Sequence, residues 1–141
     1  MLTAGGRSPM CSGMRILQQV LNFLMMLLFV FAAVLQYNDD DMLRWMAIYL
    51  AAAACCVAAM VGKLKWWVPA LVAVFCVGWS VIYMARGAAG MPVGEMFAEW
   101  EMKNEQIVEE REMFGLLIVA AWMMVLAVCA RRAQRNLKLE T

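Results

Sequence analysis

Four long stretches without a single Asp, Glu, Lys or Arg constrain the fold of this chain more than any other feature. A helix needs about 20 predominantly apolar residues to cross a hydrocarbon core roughly 30 Å thick, and each stretch is close to that length. Hydrophobic residues make up 65% of the chain, well above the share found in soluble domains. The stretches are residues 16–35, 45–62, 66–85 and 113–130. They predict four membrane-spanning segments.

These segments are predicted to be helices, because lipid offers no partners to unpaired backbone groups and the polar alternation of barrel strands is missing. The predicted fold is an all-α integral membrane protein: a bundle of four transmembrane helices formed by residues 15–131. Residues 1–14 are predicted to be a disordered tail and residues 132–141 a basic tail. The first apolar run is too long for a signal peptide, so we expect it to be retained as a span.

The distribution of charge predicts that both termini are cytoplasmic. Twelve basic residues flank the spans, and eight of them share the side of the termini: Arg7, Arg15, Lys63, Lys65, Arg131, Arg132, Arg135 and Lys138. The positive-inside rule places that side in the cytoplasm. Ten of the eleven acidic residues lie on the opposite side: Asp39, Asp40, Asp41, Glu95, Glu99, Glu101, Glu105, Glu109, Glu110 and Glu112. The outer face is therefore predicted to be acidic.

A cluster of polar residues at the outer ends of the spans is the candidate functional site. Its carboxylate and amide oxygens could bind a hard cation such as Ca²⁺ or a protein partner, although Ca²⁺ needs six to eight oxygen ligands. Alternatively, the same carboxylates cap helix N-termini and favour the helix dipole. The residues of this outer-face motif are Gln36, Tyr37, Asn38, Asp39, Asp41, Trp45, Glu109, Glu110 and Glu112.

The long connection between the third and fourth spans contains four residues at helical spacing, three of them apolar. Met96, Trp100, Lys103 and Ile107 follow spacings of about 4, 3 and 4, with acidic residues elsewhere on the helical wheel. This pattern is typical of a short amphipathic helix at the membrane interface. We expect it to cover the outer end of the bundle, or alternatively to dock a partner.

Polar and small residues inside the spans predict how the helices pack. Asn22 lies two turns into the first span and is expected to hydrogen-bond a neighbouring helix. In the second span two rows of small residues favour close approach of helices, within the chain or between copies of it. The rows are Ala47, Ala51, Cys55 and Ala59, and Ala54, Ala58 and Gly62.

Several classes of function are disfavoured. Ion-coupled transporters usually carry ionisable groups within their spans, and the four windows have none. The chain has no histidine, and no nucleophile stands beside a recognisable base, so no catalytic residue is assigned. The five cysteines include no C-x-x-C pair. A net charge of +1 gives no reason to expect nucleic-acid binding. Neither a metal site nor a cofactor is predicted.

Two motifs resemble the transmembrane protein 220 family. One is Leu35-Gln36-Tyr37-Asn38-Asp39 followed by Asp41, Trp45 and Tyr49, and the other is Glu109-Glu110-x-Glu112-x-x-Gly115-Leu116. The resemblance covers roughly residues 15–130. The family's Asn-Asp-Pro-Asp-Pro pattern is altered here, because Asp40 and Met42 occupy the proline positions, and the loop lacks that rigidity. The resemblance implies a small four-helix membrane protein whose biochemical activity is not established.

Taken together, these features favour a non-enzymatic membrane scaffold that uses its acidic outer face to bind a partner. The expected partners are the lipid bilayer and an unidentified membrane protein or a second copy of the chain. The alternative is a membrane-embedded enzyme, or a cation-binding protein, acting on lipid headgroups through the outer carboxylates. Stoichiometric partner capture would favour the scaffold, and a co-purifying lipid product the enzyme.

Overall fold

The computed structural model describes residues 9–38, 41–86 and 105–139, with side chains from residue 13 onward and, in the last helix, from residue 111 onward. The elements are α1 (Pro9–Leu35), a short 3-10 helix (Gln36–Asn38), α2 (Met42–Met60), α3 (Trp67–Ala85) and α4 (Glu105–Leu139). All four α-helices are long and apolar enough to cross a membrane, and the described residues contain no strand. The predicted all-α fold with four transmembrane helices is confirmed.

Two of the helices extend beyond the predicted spans. Helix α1 begins at Pro9, so part of the segment predicted to be an N-terminal tail is helical, with proline in the first turn where it is tolerated. Helix α4 continues to Leu139 and includes most of the basic C-terminal segment. Hydrophobicity marks only the part of a helix that crosses lipid. In α4, good helix formers such as Arg, Gln, Lys and Leu continue the helix beyond the predicted span.

The predicted interfacial helix lies mostly outside the described residues. Met96, Trp100 and Lys103 belong to the undescribed stretch 87–104, and Ile107 lies in the first turn of α4.

The chain divides into two compact units, Met1–Lys63 and Leu64–Thr141. In the first unit α1 packs against α2, and the 3-10 helix contacts both. Asn22 of α1 is buried and donates a hydrogen bond from Nδ2 to the backbone carbonyl of Cys56, at 2.8 Å. The predicted role of Asn22 is therefore confirmed.

The buried face of α2 differs from the predicted rows of small residues. Ala47, Ala51 and Ala54 are exposed, whereas Ala52 and Cys56 are completely buried. Residues 51–56 are all alanine or cysteine, so small side chains occur on every side of this part of the helix and cannot mark one face. The larger side chains settle the orientation, since the buried face also contains Trp45, Ile48 and Tyr49.

Helix α2 ends in a Schellman motif. The amide of Lys63 donates to the carbonyl of Ala58 at 2.9 Å, and the amide of Gly62 donates to the carbonyl of Ala59 at 3.2 Å. Gly62 has a φ of +72°, a left-handed conformation that costs glycine little. Gly62 therefore ends α2, and it is not part of a packing row as the sequence pattern predicts.

In the second unit α3 packs against α4. The buried positions of α3 recur at spacings of about 3, 4 and 3, and those of α4 do the same, which is the pattern of two helices meeting along a narrow seam. Ser80 satisfies its hydroxyl within α3 by donating to the Cys76 carbonyl at 2.8 Å. The seam contains Ala73, Cys76, Ser80 and Tyr83 of α3, and Leu116, Val119, Met123 and Leu126 of α4.

Candidate outer-face site

The connection between α1 and α2 places the first half of the polar motif. Gln36, Tyr37 and Asn38 form the 3-10 helix that directly follows α1, and none of the three is fully buried. Tyr37 and Asn38 are exposed, and 73% of the surface of Tyr37 is accessible. Asp39 and Asp40 lie outside the described residues. The described part of this connection therefore presents polar side chains at the outer end of the helix pair.

Asp41 is the N-cap residue of α2, but its side chain does not cap the helix. Its backbone carbonyl accepts hydrogen bonds from the amides of Arg44, at 3.0 Å, and Trp45, at 3.3 Å. The backbone has φ −102° and ψ 30°, outside the extended region from which an N-cap side chain reaches the first free amides. Its Oδ2 instead accepts a hydrogen bond from Arg44 Nη1 at 3.0 Å. The predicted side-chain cap is wrong for Asp41.

The ion pair between Asp41 and Arg44 is exposed to solvent. The Asp41 side chain is 57% exposed and that of Arg44 is 44% exposed. Water screens such pairs, so this one contributes between zero and about 1 kcal/mol to stability. Asp41 therefore remains an accessible carboxylate whose charge is partly balanced by a neighbour on the same helix.

Trp45 is buried one turn into α2, with 1% of its surface exposed. Its ring lies 6.3 Å from that of Tyr49, between centroids, with the planes inclined at 34°. The Nε1–H of Trp45 has no hydrogen-bond partner among the described residues. A buried donor without a partner usually costs about 1–3 kcal/mol. Trp45 is therefore a packing residue near the start of α2 and not an accessible member of the outer-face motif.

Glu112 is held by a contact that the sequence analysis did not predict. The hydroxyl of Tyr83, at the end of α3, donates to Glu112 Oε2 near the start of α4 at 2.7 Å. Tyr83 is buried and Glu112 is half-buried. Tyr83 lies at the end of α3 and Glu112 near the start of α4, and these ends adjoin because the two helices are antiparallel. A hydrogen-bond donor and an acceptor at adjoining helix ends are the sequence signal from which this contact could have been predicted.

The candidate residues fall in both compact units. Gln36 to Trp45 belong to the first unit and Glu112 to the second. Glu109 and Glu110 lie in the first turns of α4, and their side chains are outside the described residues. Among the side chains that are described, no group of three or more His, Cys, Asp or Glu is placed to hold a metal ion.

Helix length, hydropathy and the many exposed apolar side chains define this chain as an integral, multi-pass α-helical membrane protein. A family profile described as "Transmembrane family 220, helix" matches residues 28–128. The chain belongs to this family, as the two sequence motifs predicted, and the matched segment contains the whole outer-face motif. No match was found among curated proteins or among solved structures.

Proposed function

We propose that this protein is a non-enzymatic membrane scaffold that binds a membrane-protein partner through its acidic outer face. The observation that supports this most directly is the accessible Asp41 carboxylate, which stands at a helix end within a sequence segment of three consecutive aspartates. Ten of the eleven acidic residues share this side of the spans with only four basic residues. Such a surface attracts a partner with complementary basic charge and orients it during encounter.

The contacts of the two described carboxylates support a binding role over a catalytic one. Asp41 pairs with Arg44, and Glu112 accepts a hydrogen bond from Tyr83. Each contact engages its carboxylate with a partner inside the chain, whereas a general acid–base catalyst needs a carboxyl group that is free to reach a substrate. The Tyr83 contact also stabilises the outer end of the α3–α4 pair.

Site-specific photo-crosslinking in native membranes tests this proposal. A photoreactive residue replaces Tyr37, which is exposed at the outer end of the first unit. The matched control replaces Val61, which is 61% exposed at the opposite end of the same unit. We expect a discrete protein adduct from position 37 that is absent at position 61 and is lost when Asp39→Lys and Asp41→Lys are combined.

Adducts of equal yield at both positions, or an adduct that survives the double charge reversal, would contradict the proposal. An adduct with twice the mass of the chain would identify a second copy as the partner. A modified lipid that accumulates with wild type but not with the charge-reversed protein would instead support the enzymatic alternative.

The proposed orientation places both termini in the cytoplasm. It is supported by the excess of basic residues on the side of the termini. A topology reporter fused to the C-terminus should be active in the cytoplasm, and activity of an exported reporter at the same position would refute this orientation.

A further inference from the structure

The end of the second unit remote from Glu112 carries an organised basic cluster. The guanidinium carbon of Arg131 lies 5.3 Å from the centroid of the Trp66 ring, within the range of a cation–π interaction. One turn later, Gln134 Nε2 donates to the Leu64 carbonyl at 3.4 Å. These two contacts fasten the end of α4 to the segment that leads into α3. Arg131 is thus held in place by its contact with Trp66.

The described charged side chains at the Arg131 end of this unit are all positive. The exposed basic residues of this end, which we call the basic cluster, are Lys65, Arg131, Arg132, Arg135 and Lys138. Glu112 is the one acidic residue among the described side chains of this unit. It lies about 28 Å from Arg131 along α4, at 1.5 Å per residue. That separation is close to the thickness of a bilayer hydrocarbon core, so we expect Arg131 at the boundary between the hydrocarbon core and the headgroups, from where its side chain can reach a lipid phosphate.

An exposed apolar track leads from the basic cluster toward the middle of the membrane. Met124 and Val128 precede Arg131 by seven and three residues, so all three lie on one side of α4. They are 50% and 43% exposed. On α3, Leu71 and Val74 are 61% and 65% exposed. A cation at the end of an apolar track matches the amphipathic shape of a phospholipid.

We propose that Arg131 and Lys65, two residues of the basic cluster, form a binding site for one anionic phospholipid. The lipid phosphate binds Arg131 and Lys65, and an acyl chain lies along Met124 and Val128. Arginine suits this role because its planar guanidinium can donate two parallel hydrogen bonds to a phosphate. Stacking on Trp66 orients the group before the lipid arrives, which reduces the conformational freedom lost on binding. The apolar track selects a lipid over a soluble phosphate.

Native mass spectrometry of the full chain, reconstituted in vesicles of phosphatidylcholine with one fifth phosphatidylglycerol, measures this binding. We expect wild type to retain phosphatidylglycerol above its share of the vesicle. Arg131→Gln should lower that retention about fivefold, because the direct contact between the guanidinium and the lipid phosphate is lost. The matched control is Arg132→Gln, which makes the same change in charge at the next residue, away from Trp66, and should change retention less than twofold.

Two further measurements complete the test. Arg131→Lys keeps the charge but loses the planar guanidinium, so its lipid retention should fall between that of wild type and that of Arg131→Gln. This graded order distinguishes binding from misfolding. Glycerol phosphate at the same concentration should not displace the lipid, and displacement would show a site for free phosphate. Equal losses of phosphatidylglycerol from Arg131→Gln and Arg132→Gln would overturn the proposal. So would retention of phosphatidylcholine and phosphatidylglycerol by wild type in the same proportion as in the vesicle.

Discussion

Replacing Tyr83 with phenylalanine removes one oxygen atom and, with it, the hydrogen bond to Glu112. The hydroxyl donates to Glu112 Oε2 at 2.7 Å, a short distance typical of a bond to a charged acceptor. Hydrogen bonds to charged groups contribute about 1.5–3 kcal/mol in soluble proteins. Side-chain hydrogen bonds between membrane helices average about 0.6 kcal/mol and reach about 1.7. Because Tyr83 is buried and Glu112 half-buried, we expect a coupling of about 1–2 kcal/mol.

A double-mutant cycle isolates this coupling from other effects of each substitution. The cycle compares wild type, Tyr83→Phe, Glu112→Ala and the double variant, and the coupling is the departure from additivity. A coupling of 1–2 kcal/mol corresponds to roughly a 5- to 30-fold change in the unfolding equilibrium of the pair. Tyr37→Phe is the matched control, since the Tyr37 ring is 73% exposed, and it should leave stability within about 0.5 kcal/mol of wild type.

The assay uses Cys76, which is fully buried in the seam between α3 and α4 and carries a free thiol. In a background where Cys76 is the one thiol retained, its reaction with a thiol probe reports opening of the second unit during titration with a denaturing detergent. A coupling below about 0.3 kcal/mol would refute the claim that Tyr83 and Glu112 stabilise the outer end of this unit. So would a Tyr37→Phe effect as large as that of Tyr83→Phe.

Three further predictions follow from the contacts of the first unit. Asn22→Leu should destabilise this unit by about 0.5–2 kcal/mol, because the hydrogen bond to the Cys56 carbonyl is lost. The control Gln19→Leu, at an exposed position, should have a smaller effect on stability. Thermal unfolding in detergent compares the two variants, and equal effects would contradict the importance of the buried contact. Trp45→Ala should lower the free energy of unfolding by about 3–5 kcal/mol, because it leaves a cavity in the interior. Trp45→Phe should lower it by less than half as much, because phenylalanine fills most of the space and leaves no unpaired N–H. The reverse order in the same assay would contradict this explanation. Calcium should not raise the melting temperature of wild type or of Asp41→Ala, and a shift in wild type that the variant loses would favour the alternative of a cation-binding protein.

The spans and the contact of Asn22 could be predicted from the sequence because both follow from local rules. An uncharged apolar segment is identified as a span by comparing its helical length with the bilayer thickness. A polar amide within such a span needs a hydrogen-bond partner on a neighbouring helix. The buried face of α2 could not be predicted, because the alanines and cysteines of residues 51–56 provide no periodic contrast. There the position of Trp45 decided the orientation.

The candidate site was predicted in composition but not in its contacts. The pairing of Tyr83 with Glu112 joins residues 29 positions apart, and it depends on the register of two helices across a long connection. The side chain of Asp41 was expected to cap α2, but capping depends on backbone dihedral angles that residue type does not determine. The contact of Arg131 with Trp66 has the same origin in helix register, since their separation in sequence is larger still.

The side-chain contacts at the two ends of the α3–α4 pair also give the pair a defined hydrophobic length. Tyr83 with Glu112 closes one end and Trp66 with Arg131 closes the other, and along α4 the two ends are about 28 Å apart. A bilayer with a thicker hydrocarbon core must thin around this pair, or Arg131 is drawn toward the acyl chains, at a cost of fractions of a kcal/mol for each ångström of mismatch. A thinner bilayer is met by tilting. The pair therefore responds to membrane thickness, a property that lipid composition alone can change.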